Sequence, residues 1–220
     1  MKSLLFKNRS MVALWLILAI TFVITGIVDS YFFSIPSIGI TLQLAAPLGL
    51  LAAAQTIVML TGGIDLSLAM IATGAAYIVS VKSNEGLSTA LLYALLFCIV
   101  IGAVNGIAIG LFGVNPLIMT LSMGAILIGV FTVGVSTFLR GSSRMPDILV
   151  TLSSGLIIDP ITWPLVIWII VGGLVHLSLT RTGFGRVIYS IGDNAKAARL
   201  AGIKVWQVQV AAYISCAILG

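Results

Sequence analysis

Residues Gly86 to Leu139 read GLSTALLYALLFCIVIGAVNGIAIGLFGVNPLIMTLSMGAILIGVFTVGVSTFL, without one charged side chain. About 20 apolar residues cross a bilayer as a helix, so this run holds two crossings. Asn115-Pro116 supplies the turn between them, because proline lacks a backbone donor and disfavours helix in the residue before it. Outward from this pair, charge-free runs cover Ser10 to Val28, Ser30 to Ile64, Leu66 to Val81, Pro160 to Thr180 and Val205 to Gly220. Pro36 can open a helix and Gly62-Gly63 can close one. The predicted spans are 11–29, 37–61, 66–81, 88–112, 117–139 and 160–180, with a seventh begun at 205.

Composition agrees with this reading. Hydrophobic residues make up 60% and charged residues 8% of the 220, with a mean hydropathy of +1.23, outside the range of soluble globular domains. Every backbone group in lipid needs an internal partner, and these long unbroken runs lack the strand-length alternation of a barrel. The expected fold is all-α: a polytopic membrane helix bundle of six spans plus an incomplete seventh. The first run is longer than a signal core and no small-x-small cleavage site follows it, so it reads as an uncleaved first span.

Cations set the orientation. With the N-terminus cytoplasmic, inner segments hold Lys2, Lys7, Arg9, Arg181, Arg186, Lys196, Arg199 and Lys204, and outer ones hold Lys82, Arg140 and Arg144. That bias explains the basic balance without a nucleic-acid partner. Cys98 and Cys216 fall inside spans as small apolar filler. His176, alone near a span end, has no partner motif.

Polar residues inside the hydrocarbon need partners or line a path. Gly102, Gly106 and Gly110 leave one face of span four bare for a neighbouring helix, with Asn105 beside them; Ala45, Gly49 and Ala53 do the same in span two. Gln43 and Gln55 flank Pro47, where a kink is expected. In Thr61-Gly62-Gly63-Ile64-Asp65-Leu66-Ser67, Asp65 either caps span three as an ordinary N-cap or belongs to a broken-helix joint below the headgroups, since a span over 66–81 is short of the hydrocarbon core. Gln43, Gln55, Asp65, Asn105 and Asn115 are the candidate residues of a translocation path.

The block Arg181 to Lys204, RTGFGRVIYSIGDNAKAARLAGIK, is a polar island in this apolar chain. Phe184, Val187, Ile188 and Ile191 form a helical stripe, expected to lie along the membrane surface. Gly192 is expected to break that helix, Asp193 or Asn194 to cap a second over Ala195 to Ala201, and Gly202 to end it. Ala197, Leu200 and Ala201 then make an apolar knob edged by Lys196 and Arg199, suited to a groove on a soluble protein.

This block resembles the cytoplasmic loop of membrane permeases in ATP-binding cassette importers for ribose, xylose and related sugars, on Thr182, Phe184, Gly185, Arg186, Ile188, Tyr189, Ile191, Gly192, Asn194, Ala197, Ala198, Arg199, Gly202 and Ile203. Gly62 to Ser67 is similar to that family's second signature, and Asn115-Pro116-Leu117-Ile118-Met119-Thr120-Leu121 to a third. The resemblance implies a single transmembrane permease domain over 1–220, with a coupling loop at 181–204. It implies a bacterial inner-membrane protein, normally dimeric, that receives a monosaccharide from a periplasmic binding protein and is driven by a cytoplasmic ATPase. Gly185, Arg186, Gly192, Asn194, Ala197, Arg199, Leu200 and Gly202 are the candidate coupling residues. No G-x-x-x-x-G-K-[ST] loop occurs, so ATP would be used by the partner and the chain itself is expected to hold no cofactor or metal and to catalyse no reaction.

Two departures stand out. Asp193, Ala195 and Lys196 replace the glycine and acidic residues usual around the asparagine. The chain also stops 16 residues into its seventh span, as a C-terminally truncated form would. A related permease for branched-chain amino acids, a gradient-driven secondary carrier and a non-transporting remnant are the alternatives.

Overall fold

The computed structural model describes residues 9–136 and 145–220. Lys2, Lys7, Arg140 and Arg144, four of the cations used for orientation, lie outside the described residues. In chain order the elements are α1 (Arg9–Val28), α2 (Ile35–Met59), α3 (Leu68–Lys82), a 3-10 turn (Ser83–Glu85), α4 (Leu87–Gly110), α5 (Pro116–Ser136), α6 (Asp147–Ser154), β1 (Leu156–Ile158), β2 (Ile161–Thr162), α7 (Trp163–Arg181), α8 (Gly183–Leu200) and α9 (Val205–Leu219).

Among the described residues, α1, α2, α4, α5 and α7 are long and apolar enough to cross a bilayer. The third expected span falls short of that length: α3 has 15 residues, about 22 Å of helix. The reason is the segment between α2 and α3, which stays non-helical up to Ser67. α2 runs through Pro47 as one helix. A short antiparallel ribbon, β1 with β2, stands between α6 and α7, where the sequence reading placed no strand.

The bundle is organised by missing side chains. A Cβ on Gly102 would lie 2.8 Å from the Cα of Ile214, one on Gly106 2.5 Å from the Cα of Val210, and one on Gly110 2.9 Å from the carbonyl oxygen of Trp206. The glycine face of α4 is therefore the seat of α9, which runs antiparallel along it and touches it backbone to backbone. Small residues at intervals of four permit this approach. On α2, the indole of Trp168 from α7 covers Gly49, where a Cβ would meet the ring at 2.1 Å. Between these pairs sits a core of Ala54, Val58, Leu68, Ile109, Tyr213 and Cys216. Cys98 and Cys216 are both buried and free.

α1 stands apart. No residue of its most apolar window is buried, and its visible partners are its own following loop, through an edge-to-face contact of Phe22 with Phe32 and the ring of Phe33 against Gly26.

Candidate functional site

One end of the bundle gathers the C-termini of α2, α4 and α7, the N-termini of α3, α5 and α9, and all of α8. Two features meet there: a buried polar junction and the α8 segment.

The junction begins where α2 stops. Gly62 takes φ +82°, and its N–H reaches the Met59 carbonyl at 3.0 Å while that of Gly63 reaches the Val58 carbonyl at 3.2 Å. This paired bonding is the Schellman ending, in which a glycine in left-handed conformation satisfies the last carbonyls of a helix. Gly63 is glycine for a different reason: a Cβ there would meet the Tyr213 hydroxyl at 2.5 Å. The chain then enters the protein, burying Asp65 at 4% exposure and Ser67 at 0%.

Asp65 Oδ1 accepts from the Ser67 N–H at 2.9 Å and from the Ser67 hydroxyl at 2.5 Å. Ser67 Oγ in turn accepts from Asn105 Nδ2 at 3.0 Å. Asp65 is thus not the N-cap expected as one of its two roles. Ser67 holds that position and makes no side-chain cap bond, because its hydroxyl is committed to Asp65. Thr120, fully buried, closes the other side: its hydroxyl faces the Ile64 carbonyl at 3.2 Å and accepts from the Leu66 N–H at 3.1 Å. The irregular backbone of the joint is therefore held by α5, so two signature segments 54 residues apart by the Leu66–Thr120 bond form one structure. Irregular backbone is tolerated at membrane depth only where protein or a cavity provides such partners.

Four buried atoms around the joint have no partner: Gln55 Oε1, Asp65 Oδ2, Asn105 Oδ1 and the Tyr213 hydroxyl. Gln55 and Asp65 share an open cleft of about 330 Å³ with Leu51, Ala52, Leu66, Leu68 and Ala69. Of the five path candidates, Gln55, Asp65 and Asn105 are brought to this region. Gln43 is half-buried farther back along α2, about 18 Å away at 1.5 Å per residue. Asn115 is exposed, and its side-chain oxygen accepts from the Leu117 N–H at 2.9 Å to start α5. Ser67 and Thr120 stand in the two signature segments but were not among the path candidates, and Tyr213 was in neither; a hydroxyl in an apolar run was the available sign.

In α8, Thr182 Oγ1 accepts from the Gly185 N–H at 3.4 Å to cap the helix, and Gly185 lies so close to α7 that a Cβ would sit 1.9 Å from the Leu179 carbonyl oxygen. The apolar stripe does not lie on the membrane surface. Ile188 packs with Ile57, Val175, Leu179 and Ala212, and Ile191 with Ala198 and Val205, because the bundle offers this face a protein partner. Gly192 is not the break either. The backbone leaves helical geometry at Asn194 (φ −159°, ψ 94°), whose side-chain oxygen accepts from Lys196 N–H at 3.1 Å and Ala197 N–H at 3.0 Å as an N-cap. Gly192 serves close approach: a Cβ there would lie 2.2 Å from the Leu60 carbonyl oxygen, at the first residue past α2.

The second half of α8 ends in another Schellman turn, with Gly202 at φ +87° and bonds from Gly202 N–H to Arg199 and Ile203 N–H to Ala198. Ala198 points inward. Ala197, Lys196, Arg199 and Ala201 are exposed, and Leu200 is 91% exposed. Nothing lies within 4 Å of a Cβ on Gly62 or Gly202, so alanine at either costs only the left-handed backbone. Each change is expected to lower stability by about 1 kcal/mol, read as a fall in the unfolding midpoint of the purified chain in mixed micelles.

Among the described residues, no group of three or more His, Cys, Asp or Glu could hold a metal ion. A bundle of apolar spans, with a polar joint and the exposed second half of α8 at one end, is the architecture of a multi-pass membrane protein. A family model described as branched-chain amino acid transport system / permease component matches residues 37–220, and the chain belongs to that family. It is 32% identical over 217 residues to the autoinducer 2 import system permease protein LsrC of Photorhabdus laumondii subsp. laumondii, covering 97% of this chain and 63% of that protein. It is 33% identical over 229 residues to the ribose import permease protein RbsC of Escherichia coli K12, covering 99% of this chain and 68% of that one. The chain thus spans a little under two thirds of the length of the LsrC relative. No solved structure matches it.

Proposed function

We propose that the chain is the membrane-spanning permease subunit of an ATP-binding cassette importer in a bacterial inner membrane, with its N-terminus cytoplasmic. It passes a monosaccharide from a periplasmic binding protein to the cytoplasm, works with a second copy of itself, and is driven by ATP hydrolysis on a partner ATPase. The observation that carries this reading is the short helix after Asn194, which is fixed to the bundle through Ala198 while Leu200 stands 91% exposed. An isolated helix of this length is unstable in water. Here a cap, a Schellman turn and an inward face hold it ready for a groove, and Lys196 and Arg199 fix the register.

The partner ATPase is tested by single cysteines at 196, 197 and 200 in the assembled complex. Crosslinks to the ATPase are expected at 197 and 200, and their absence in an active complex overturns the assignment. Leu200→Asp is expected to weaken capture of the ATPase about tenfold, or about 1.4 kcal/mol, without moving the unfolding midpoint. A gradient-driven carrier predicts the opposite energetics, with uptake that survives ATP depletion. The family description favours one second cargo, branched-chain amino acids, and uptake competition between ribose and leucine separates the two.

A further inference from the structure

We propose that Asp65 is a proton-binding site: Oδ2 carries a hydrogen at neutral pH and donates it to the side-chain amide oxygen of Gln55 or Asn105, closing the joint with a neutral acid. The inference goes beyond the importer reading and depends on neither its cargo nor its partners.

Asp65 is 4% exposed, and its two oxygens are unequally provided for. Oδ1 accepts from the Ser67 N–H at 2.9 Å and from the Ser67 hydroxyl at 2.5 Å, whereas Oδ2 is buried without a partner. An ionised carboxylate only accepts hydrogen bonds, as do the amide oxygens of Gln55 and Asn105. Those amide oxygens are also buried and lack a donor. Three acceptors are thus enclosed around one joint, and a buried acceptor left unpaired is costly.

Charge points the same way. Among the described residues the one salt bridge joins Lys82 to Glu85, and Arg181, Arg186, Lys196, Arg199 and Lys204, at the same end as the joint, are all exposed. The polar groups facing the joint are Gln55 from α2, Ser67 at the start of α3, Asn105 from α4, Thr120 from α5, and Tyr213 and Cys216 from α9. From α8, Gly192 approaches only the Leu60 carbonyl. None of these groups is a cation, and the two that titrate, Tyr213 and Cys216, would add negative charge on ionising. A carboxyl buried without a counter-charge takes up a proton rather than remain an ion.

The neutral acid gives every bond a direction. Asn105 Nδ2 donates to Ser67 Oγ at 3.0 Å, the Ser67 hydroxyl donates to Oδ1 as the carbonyl of the acid, and Oδ2–H donates onward to an amide oxygen. One hydrogen therefore pairs two acceptors that otherwise have none. Where the joint opens to water the acid ionises. The closed joint then holds one proton more than the open one, so falling pH favours closure and rising pH favours opening.

The test is infrared spectroscopy on the full chain in liposomes of ether-linked lipid, which brings no ester carbonyl, read at the C=O stretch of a protonated carboxyl. The chain has six carboxyl side chains, and the other five, Asp29, Glu85, Asp147, Asp159 and Asp193, are exposed, so such a band at neutral pH belongs to Asp65. The band is expected in the unaltered chain, absent from Asp65→Asn, and bleached as pH rises. Gln55→Leu or Asn105→Leu, whichever removes the acceptor, is expected to shift its frequency. No band at neutral pH overturns the proposal and leaves a carboxylate whose unpaired neighbours share an enclosed water. A band that survives in Asp65→Asn, or that neither leucine variant shifts, also overturns it. If Asp65→Asn does not fold, the titration of the unaltered chain decides: a band that bleaches with rising pH supports the site, and no band sinks it.

Discussion

Valine in place of Gly106 is expected to unseat α9 and lower the stability of the bundle by about 3 kcal/mol, the upper end for overpacking a well-filled core. The reason is which atom stands in the way. A Cβ at 106 would lie 2.5 Å from the Cα of Val210, and a main-chain atom cannot rotate aside as a side-chain tip does. Relief requires α9 to move as a unit, and α9 also meets Gly102 and Gly110, so the displacement propagates along the seam. Leu68, Tyr213 and Cys216 share a core, so the shift also reaches the start of α3. Denaturation in mixed micelles measures the loss. Gly129→Ala is the control, since nothing lies within 4 Å of a Cβ there, and its midpoint is expected to hold or rise slightly, because alanine favours the helix over glycine. Equal shifts in the two variants would show that glycine content, not the α4–α9 contact, sets the stability.

Gly192→Val is expected to separate docking from transport. The valine Cβ would fall 2.2 Å from the Leu60 carbonyl oxygen, so α8 must lift from the end of α2 or α2 must yield. Leu60 leads directly into the joint that carries Asp65. In an importer reconstituted with its ATPase and binding protein, uptake is expected to fall by at least about tenfold. Capture of the ATPase should change by less than about twofold, because Ala197 and Leu200 lie beyond the Asn194 turn and keep their own cap. Equal loss of capture and uptake would place Gly192 in the docking surface itself, and loss of neither would show that α8 and α2 move independently.

The sequence made some of this legible and hid the rest for identifiable reasons. Glycine at intervals of four marks which face of α4 is bare, but periodicity within one helix cannot say that its occupant is α9, about a hundred residues later. The joint after Gly62-Gly63 was readable from its glycine pair and lone carboxylate. That Thr120 holds it was not, because a threonine within an apolar helix more often bonds its own preceding turn, as Thr120 also does with Pro116. Gly192 misled because glycine has two uses, a break in a helix and a place for close approach. Only the position of Leu60 distinguishes them. The β1–β2 ribbon went unseen because its few strand residues, Leu156 to Ile158 with Ile161 and Thr162, are too short for any period to register beside the long apolar runs.

Helix α1, whose most apolar window has no buried residue, has a consequence of its own. Positions that touch no neighbour are screened only for length and greasiness, so α1 should drift freely between lineages while α4 stays fixed at its glycines. An unrelated membrane anchor of the same length could replace it at the cost of little more than the contacts of Phe22 and Gly26 with Phe32 and Phe33 of the following loop.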